Sequence, residues 1–269
     1  MNIFHAIALT ALIAGPVHSA TDAVHNPLTD SESWTDLRGD ITGEADIADG
    51  RSMFNVDAPY RADDAATVPI HITQTDPGIQ IQGLKVVIDE NPAPLAAEFT
   101  FGAAMAPLDL ELRVRVNMYS NVRVIAETDK GLLMDGRYVK ASGGCSAPAS
   151  KNPELALASM GQMRLRQFEQ PALMSTPRRE AQIMIRHPNY SGLQRDQITQ
   201  LFISAHFIDK IEVFQGDDML WTMEGGISVS ENPVFRFQYT DNGSTDLQVR
   251  ATDTEGNVFE HTLPKDVQG

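Results

Sequence analysis

Alternating hydrophobic and polar positions dominate the chain from Thr67 onward. The clearest case runs from Asp109 to Tyr119. Leu110, Leu112, Val114 and Val116 fall on one face, and Glu111, Arg113 and Arg115 fall on the other. A period of two predicts a strand with one buried and one wet face. The same texture recurs at 68–72, 79–89, 98–101, 122–127 and 137–141, with Asp76-Pro77-Gly78 as a turn and Gly83 as the site of a bulge. A second set follows at 181–186, 206–214, 219–223, 234–239, 246–251 and 258–263. Its turns are Gly216-Asp217-Asp218, Asp241-Asn242-Gly243 and Glu255-Gly256-Asn257. Short strands at this spacing predict an all-β chain of two antiparallel sandwiches. Helical pattern is scarce. Residues 31–38 read as a short helix capped by Ser31, with Trp34 and Leu37 on one side. Residues 154–170 have helical composition and read as a short helix or an extended connector. Residues 43–64 read as a surface loop.

Between the two sets lies Ala141-Ser142-Gly143-Gly144-Cys145-Ser146-Ala147-Pro148, which holds the chain's single cysteine. No bulky residue stands within three positions of Cys145. The strip therefore reads as exposed backbone, with Gly143 and Gly144 as a flexible arm and Cys145 as an accessible thiol. About 15–18 Å separates Lys140 from Cys145 at full extension. The organisation expected is a signal peptide at 1–20, a β-sandwich at 21–145, a linker at 146–170 and a second β-sandwich at 171–269. The thiol would then lie between two rigid bodies and inside neither.

Composition narrows the function. The formal net charge of −15 argues against binding nucleic acid or an anionic membrane surface, both of which need basic faces. Residues 1–20 carry no Asp, Glu, Lys or Arg, and an apolar run at 7–13 precedes Gly15, Pro16 and small residues. That reads as a secretory leader, its run too short to span a bilayer. Export to the periplasm is expected. A lone cysteine in an exported chain is an intermolecular bridge, a reactive thiol or an inert buried side chain. A homodimer through Cys145 follows from the first of these.

Enzyme signatures are missing. The chain has no phosphate loop, dinucleotide fingerprint or nucleophile elbow, and no His pair at i and i+4. No catalytic residue, metal site or cofactor is expected. His187 and His206 read as structural, able to act on Cys145 only if the fold brings one beside it. Lys140 and Arg137 are near enough in sequence to lower the thiol's pKa. A thiolate can attack oxidised sulfur to form a mixed disulfide or an S-sulfonate adduct.

Several segments carry a family resemblance. Asp89-Glu90-Asn91-Pro92-Ala93-Pro94, Leu112-Arg113-Val114-Arg115-Val116, and Arg137-Tyr138-Val139-Lys140 leading to Gly143-Gly144-Cys145 resemble the sulfur carrier SoxY. His187-Pro188 with Gly192 and Arg195, His206-Phe207-Ile208, and Gly226-Ile227-Ser228 to Asn232-Pro233 before Phe235 and Phe237 resemble SoxZ. The whole resembles fused SoxYZ-like carriers associated with quinoprotein dehydrogenases. The resemblance implies immunoglobulin-like sandwiches and a periplasmic carrier that is not itself an enzyme. It implies covalent sulfur intermediates on Cys145, with Gly143 and Gly144 as the hinge. The implied partners are a c-type cytochrome, a hydrolase and a dehydrogenase of sulfur-compound oxidation. In that family the arm ends its chain; here Ser146-Ala147-Pro148 continue, so the arm is a loop held at both ends. A second reading is an accessory protein of a periplasmic quinoprotein dehydrogenase with an incidental thiol. A third, a thiol redox enzyme, lacks a resolving cysteine.

Overall fold

The computed structural model describes residues 26–148, 153–168 and 178–265. The expected signal peptide at 1–20 and parts of the expected linker, 149–152 and 169–170, lie outside them. Among the described residues no helix is long and apolar enough to cross a membrane.

Helix α1, Glu32–Thr42, starts where expected and runs four residues further. The Ser31 hydroxyl caps it by accepting from the Trp34 amide at 3.1 Å. The region read as a surface loop instead contains β1, Ile47–Asp49, and β2, Phe54–Asp57. These strands are too short to show a period, and burial of Phe54 and Val56 alone marks β2 as core. The N-terminal strands continue with β3, Val68–Gln74; β4, Ile81–Ile88; β5, Leu95–Phe101; β6, Asp109–Val114; β7, Ser120–Thr128; and β8, Gly131–Val139. The register between β4 and β7 shifts between Ile81 and Gly83, where the glycine predicts a bulge.

Past the cysteine strip come α2, Pro153–Ala158, and β9, Met163–Phe168. β9 was expected to be part of the connector. It pairs antiparallel with β10, Arg178–Ile185, from Met163↔Ile185 to Phe168↔Glu180, as an edge strand. The remaining strands are β11, Ile208–Gln215; β12, Asp218–Gly225; β13, Val234–Thr240; β14, Asp246–Asp253; and β15, Val258–Pro264.

The strands form two sheets, ordered β1-β8-β7-β4-β5-β12-β11-β14-β15 and β2-β3-β6-β13-β10-β9. Each sheet takes strands from both halves of the chain. The two immunoglobulin-like sandwiches are therefore joined edge to edge, and the expectation of two separate bodies is corrected. In one sheet β5 pairs with β12, Phe101 opposite Trp221 and Phe99 opposite Met223. In the other β6 pairs with β13, Leu112 opposite Phe235 and Leu110 opposite Phe237. Joining covers two edges that would otherwise expose unpaired backbone. It also merges the cores. Phe99 lies 6.0 Å from Trp221 and 6.2 Å from Phe235, ring centre to ring centre, and Trp221 lies 5.1 Å from Phe235. One continuous apolar cluster runs from Phe54 to Leu263.

Trp221 is fully buried among rings from both halves. Trp221→Ala is expected to cost about 3–5 kcal/mol and to shift a single urea transition followed by far-UV circular dichroism. Two transitions, only one of them shifted, would show that the halves fold separately.

Candidate functional site

After β8 the chain turns inward. Lys140 donates its amide to the Tyr60 carbonyl at 2.7 Å, and Ala141 is buried. Gly143 has φ +80°, a left-handed conformation that favours glycine. Its amide donates to the Asn117 carbonyl at 2.8 Å, and that of Gly144 donates to the Val116 carbonyl at 3.0 Å. A side chain at Gly144 would place its Cβ 2.1 Å from the Ala65 carbonyl oxygen and 2.7 Å from that of Val116. The glycine pair thus permits a left-handed turn and a close backbone approach. These contacts replace the expected free arm with a docked loop.

Gly144, Cys145 and Ser146 form one 3₁₀ turn, and Cys145 is 0% exposed. The expectation of an exposed thiol is overturned. It weighed only sequence neighbours, and the cover comes from the distant C-terminal half. Ser191 donates its hydroxyl to the Cys145 carbonyl at 2.5 Å, and Gln194 donates its side-chain amide to the Ala147 carbonyl at 3.0 Å. Cys145 nonetheless lies outside the continuous apolar cluster. Burial raises its pKa, and the positive charge of Arg115 partly offsets the rise. The sealed sulfur is therefore held as a thiol near neutral pH.

Arg115 is the residue that sequence reading placed on the wrong side. Alternation assigned it to the wet face with Glu111 and Arg113, but β6 ends at Val114. There the Arg115 amide turns to donate to the Ser228 carbonyl at 2.7 Å. Arg115 is 1% exposed. Its Nη1 donates to the carbonyls of Asn189 at 2.8 Å, Val229 at 2.8 Å and Ile227 at 3.2 Å. Lys140 and Arg137, the cations expected near the thiol, are engaged elsewhere. Lys140 lies over the Tyr60 ring, and Arg137 bonds Asp135 and Asn55.

Around Arg115 a polar seam joins the halves. The Asn91 side chain donates to the Arg115 carbonyl at 2.7 Å and to the Ser228 hydroxyl at 2.9 Å, and accepts from the Asn117 amide at 2.8 Å. Ser230 donates its hydroxyl to the Ala66 carbonyl, and Asn189 donates its side-chain amide to the Ser230 carbonyl. Behind Asn189 stand His187 and His206, with Nε2 atoms 3.3 and 2.8 Å from Asp253 Oδ2. The histidines meet each other and Asp253; neither is placed against Cys145 by a hydrogen bond. All three are buried and could in principle ligate one metal ion. The His187 bonding opposes that. Its Nδ1 accepts from the Asn189 amide at 3.0 Å, so the proton sits on Nε2 and points at Asp253. A metal-bound Nε2 would need that proton on the other nitrogen.

Burial lowers the pKa of His187. Burial works against ionising Asp253, but hydrogen bonds from Asn257, His206 and His187 hold its pKa at about 2.

Two outcomes follow from these contacts. A hydroxyl-to-carbonyl bond of this kind is worth about 1 kcal/mol, so Ser191→Ala is expected to speed native-state alkylation of Cys145 about fivefold, read by intact mass against time. An unchanged rate would show that Ser191 does not hold the loop shut. The His–Asp cluster should lose stability in two acid stages. His187 is neutral when folded and protonates when unfolded, so its contribution falls as pH drops below about 6.5. Asp253 stabilises above pH ~4, and that contribution, about 2 kcal/mol, disappears as pH falls toward 2. The stability gap between the wild type and Asp253→Asn should therefore narrow below pH 4. A gap of constant size down to pH 2 would contradict an ionised Asp253.

Comparison with known proteins adds to this geometry. Residues 38–145 match the family model described as sulfur oxidation protein SoxY, and residues 173–264 match that of sulphur oxidation protein SoxZ. No curated protein matches in sequence. Among solved structures, a similar one is the sulfur carrier protein SoxY from Chlorobium limicola f thiosulfatophilum. It shares 24% identity over 40% of this chain and 94% of that chain, with a TM-score of 0.34. The SoxY match ends at Cys145. The chain thus joins a SoxY-like region to a SoxZ-like region in one polypeptide.

Proposed function

We propose that this protein is a periplasmic carrier that bears sulfur intermediates covalently on Cys145 and presents them to enzymes of sulfur-compound oxidation. The observation that carries the reading is the position of the single thiol. It stands at the last residue of the SoxY match, in a turn that the SoxZ-like region covers. The partners proposed are a c-type cytochrome that loads the thiol, a hydrolase and a dehydrogenase. The carrier contributes no catalytic group of its own.

The docked turn is the resting pose on this reading, and loading requires it to lift. Lifting breaks the hydrogen bonds of Gly143, Gly144, Cys145 and Ala147 to Asn117, Val116, Ser191 and Gln194. At about 0.5–1.5 kcal/mol each the cost is about 2–6 kcal/mol. The open loop is then populated between about one part in thirty and one in twenty-five thousand. A disulfide-linked dimer would need the same opening. Closed, the thiol is protected from stray oxidants; open, it becomes the nucleophile for oxidised sulfur.

Burial of the thiol favours a second reading, in which Cys145 is structural and the protein is an accessory of a quinoprotein dehydrogenase system. The mass of protein purified from native periplasm, with and without reductant, separates the two. Sulfur-containing mass increments that reductant removes, and that Cys145→Ser lacks, are the expected result. A bare mass in both samples, with dehydrogenase capture unchanged in Cys145→Ser, would favour the accessory role.

A further inference from the structure

Arg115 is a buried guanidinium without a full counter-charge. Among the described residues no carboxylate forms an ion pair with it, and its Nε has no hydrogen-bond partner. Three neutral carbonyls solvate Nη1. A buried cation so placed carries an uncompensated desolvation cost that a nearby negative charge would relieve. The backbone fixes what is near. Val116, the next residue, accepts the Gly144 amide, so Arg115 and Cys145 each stand one residue from a backbone hydrogen bond that ties their two segments together. Asn189, whose carbonyl accepts from Arg115, lies two residues from Ser191, which holds the Cys145 carbonyl. The other charge acting on Arg115 is that of Glu231, whose influence is the weaker of the two.

We propose that Arg115 makes the seat of Cys145 an anion site, which favours sulfur cargo ending in an oxyanion, such as a sulfonate, over neutral or cationic cargo. The proposal rests on the carrier reading for its biological meaning. The protein's formal charge of −15 works the other way, repelling anions at long range. A local preference for anions must therefore come from a nearby cation. Arg115 is the charge that acts on the thiol. With a neutral thiol in place the guanidinium is under-compensated; with an anionic group on the sulfur it is paired.

A matched pair of reagents tests this without any cargo or partner enzyme. 2-Sulfonatoethyl methanethiosulfonate is an anion, and its 2-(trimethylammonio)ethyl counterpart is a cation. In both, the Cys145 thiol gives its proton to solvent and the thiolate attacks the outer sulfur. A new S–S bond forms, and methanesulfinate leaves with the electron pair of the broken bond. Loop opening gates both rates equally and cancels in the ratio of the anionic to the cationic rate, which therefore reports the electrostatic field at the thiol. In the native wild type that ratio is expected to be about tenfold or more above its value for the same chain in urea. Arg115→Met should bring it to the unfolded value or below, while Arg115→Lys, which keeps the charge, should retain most of the preference. A purely structural role would change both rates together and leave the ratio unmoved. A native wild-type ratio no higher than the unfolded one overturns the proposal, as does equal loss in the Met and Lys variants. If Arg115→Met does not fold, the native-to-unfolded comparison of the wild type decides. Failure here leaves the carrier reading standing, because that reading is decided by the adduct mass on periplasmic protein.

Discussion

Pairing of β5 with β12 and of β6 with β13 is the constraint on which the other features depend. It extends both sheets across the junction and brings Phe99, Trp221 and Phe235 into one core. It also sets the loops of the C-terminal half over the end of β8. Ser191 and Gln194 can cap the carbonyls of Cys145 and Ala147 only because the two halves are locked in this register. A sandwich edge left open would expose backbone donors and acceptors, and here it would also leave the cysteine turn uncovered.

The seam is apolar in its middle and polar at one end. Rings and branched side chains fill the space between the sheets, whereas Asn91, Arg115, Asn189, Ser228 and Ser230 line the end nearest the cysteine. Fully bonded polar groups of this kind fix one register more sharply than apolar contact does. The incompletely satisfied member is Arg115, and it is the one whose charge reaches the sulfur. A thiol in this seat is unlike one in an aliphatic core. Its burial suppresses reactivity, and the adjacent cation offsets part of that effect.

Much of the fold was legible from local pattern. Alternation, clearest in β6, short apolar runs bounded by turn residues, the Ser31 cap and the Gly83 bulge all follow from sequence alone because strand period and turn chemistry are local. β1 and β2 were not legible, being too short to show a period, and β9 was masked by helical composition at its N-terminal flank. The site was half legible. The lone cysteine and the two glycines stand out, but the cover over them does not, because it is supplied by residues 46 and 47 positions away. Arg115 was misplaced for a related reason. Its neighbours continue the alternation past the point where the strand ends, and the carbonyls that hold it inside, those of Ser228, Asn189, Ile227 and Val229, lie far along the chain.

A docked loop and an attachment site are compatible only if the loop opens by itself, without the sandwiches coming apart. The direct test is the dependence of the Cys145 labelling rate on urea below the unfolding transition. Local opening exposes little surface, so the rate should stay nearly flat at low urea and steepen only near global unfolding. A rate that climbs from the first addition of urea with the full slope of global unfolding would mean that the thiol is reached only through the unfolded chain, and the carrier role for Cys145 would not stand.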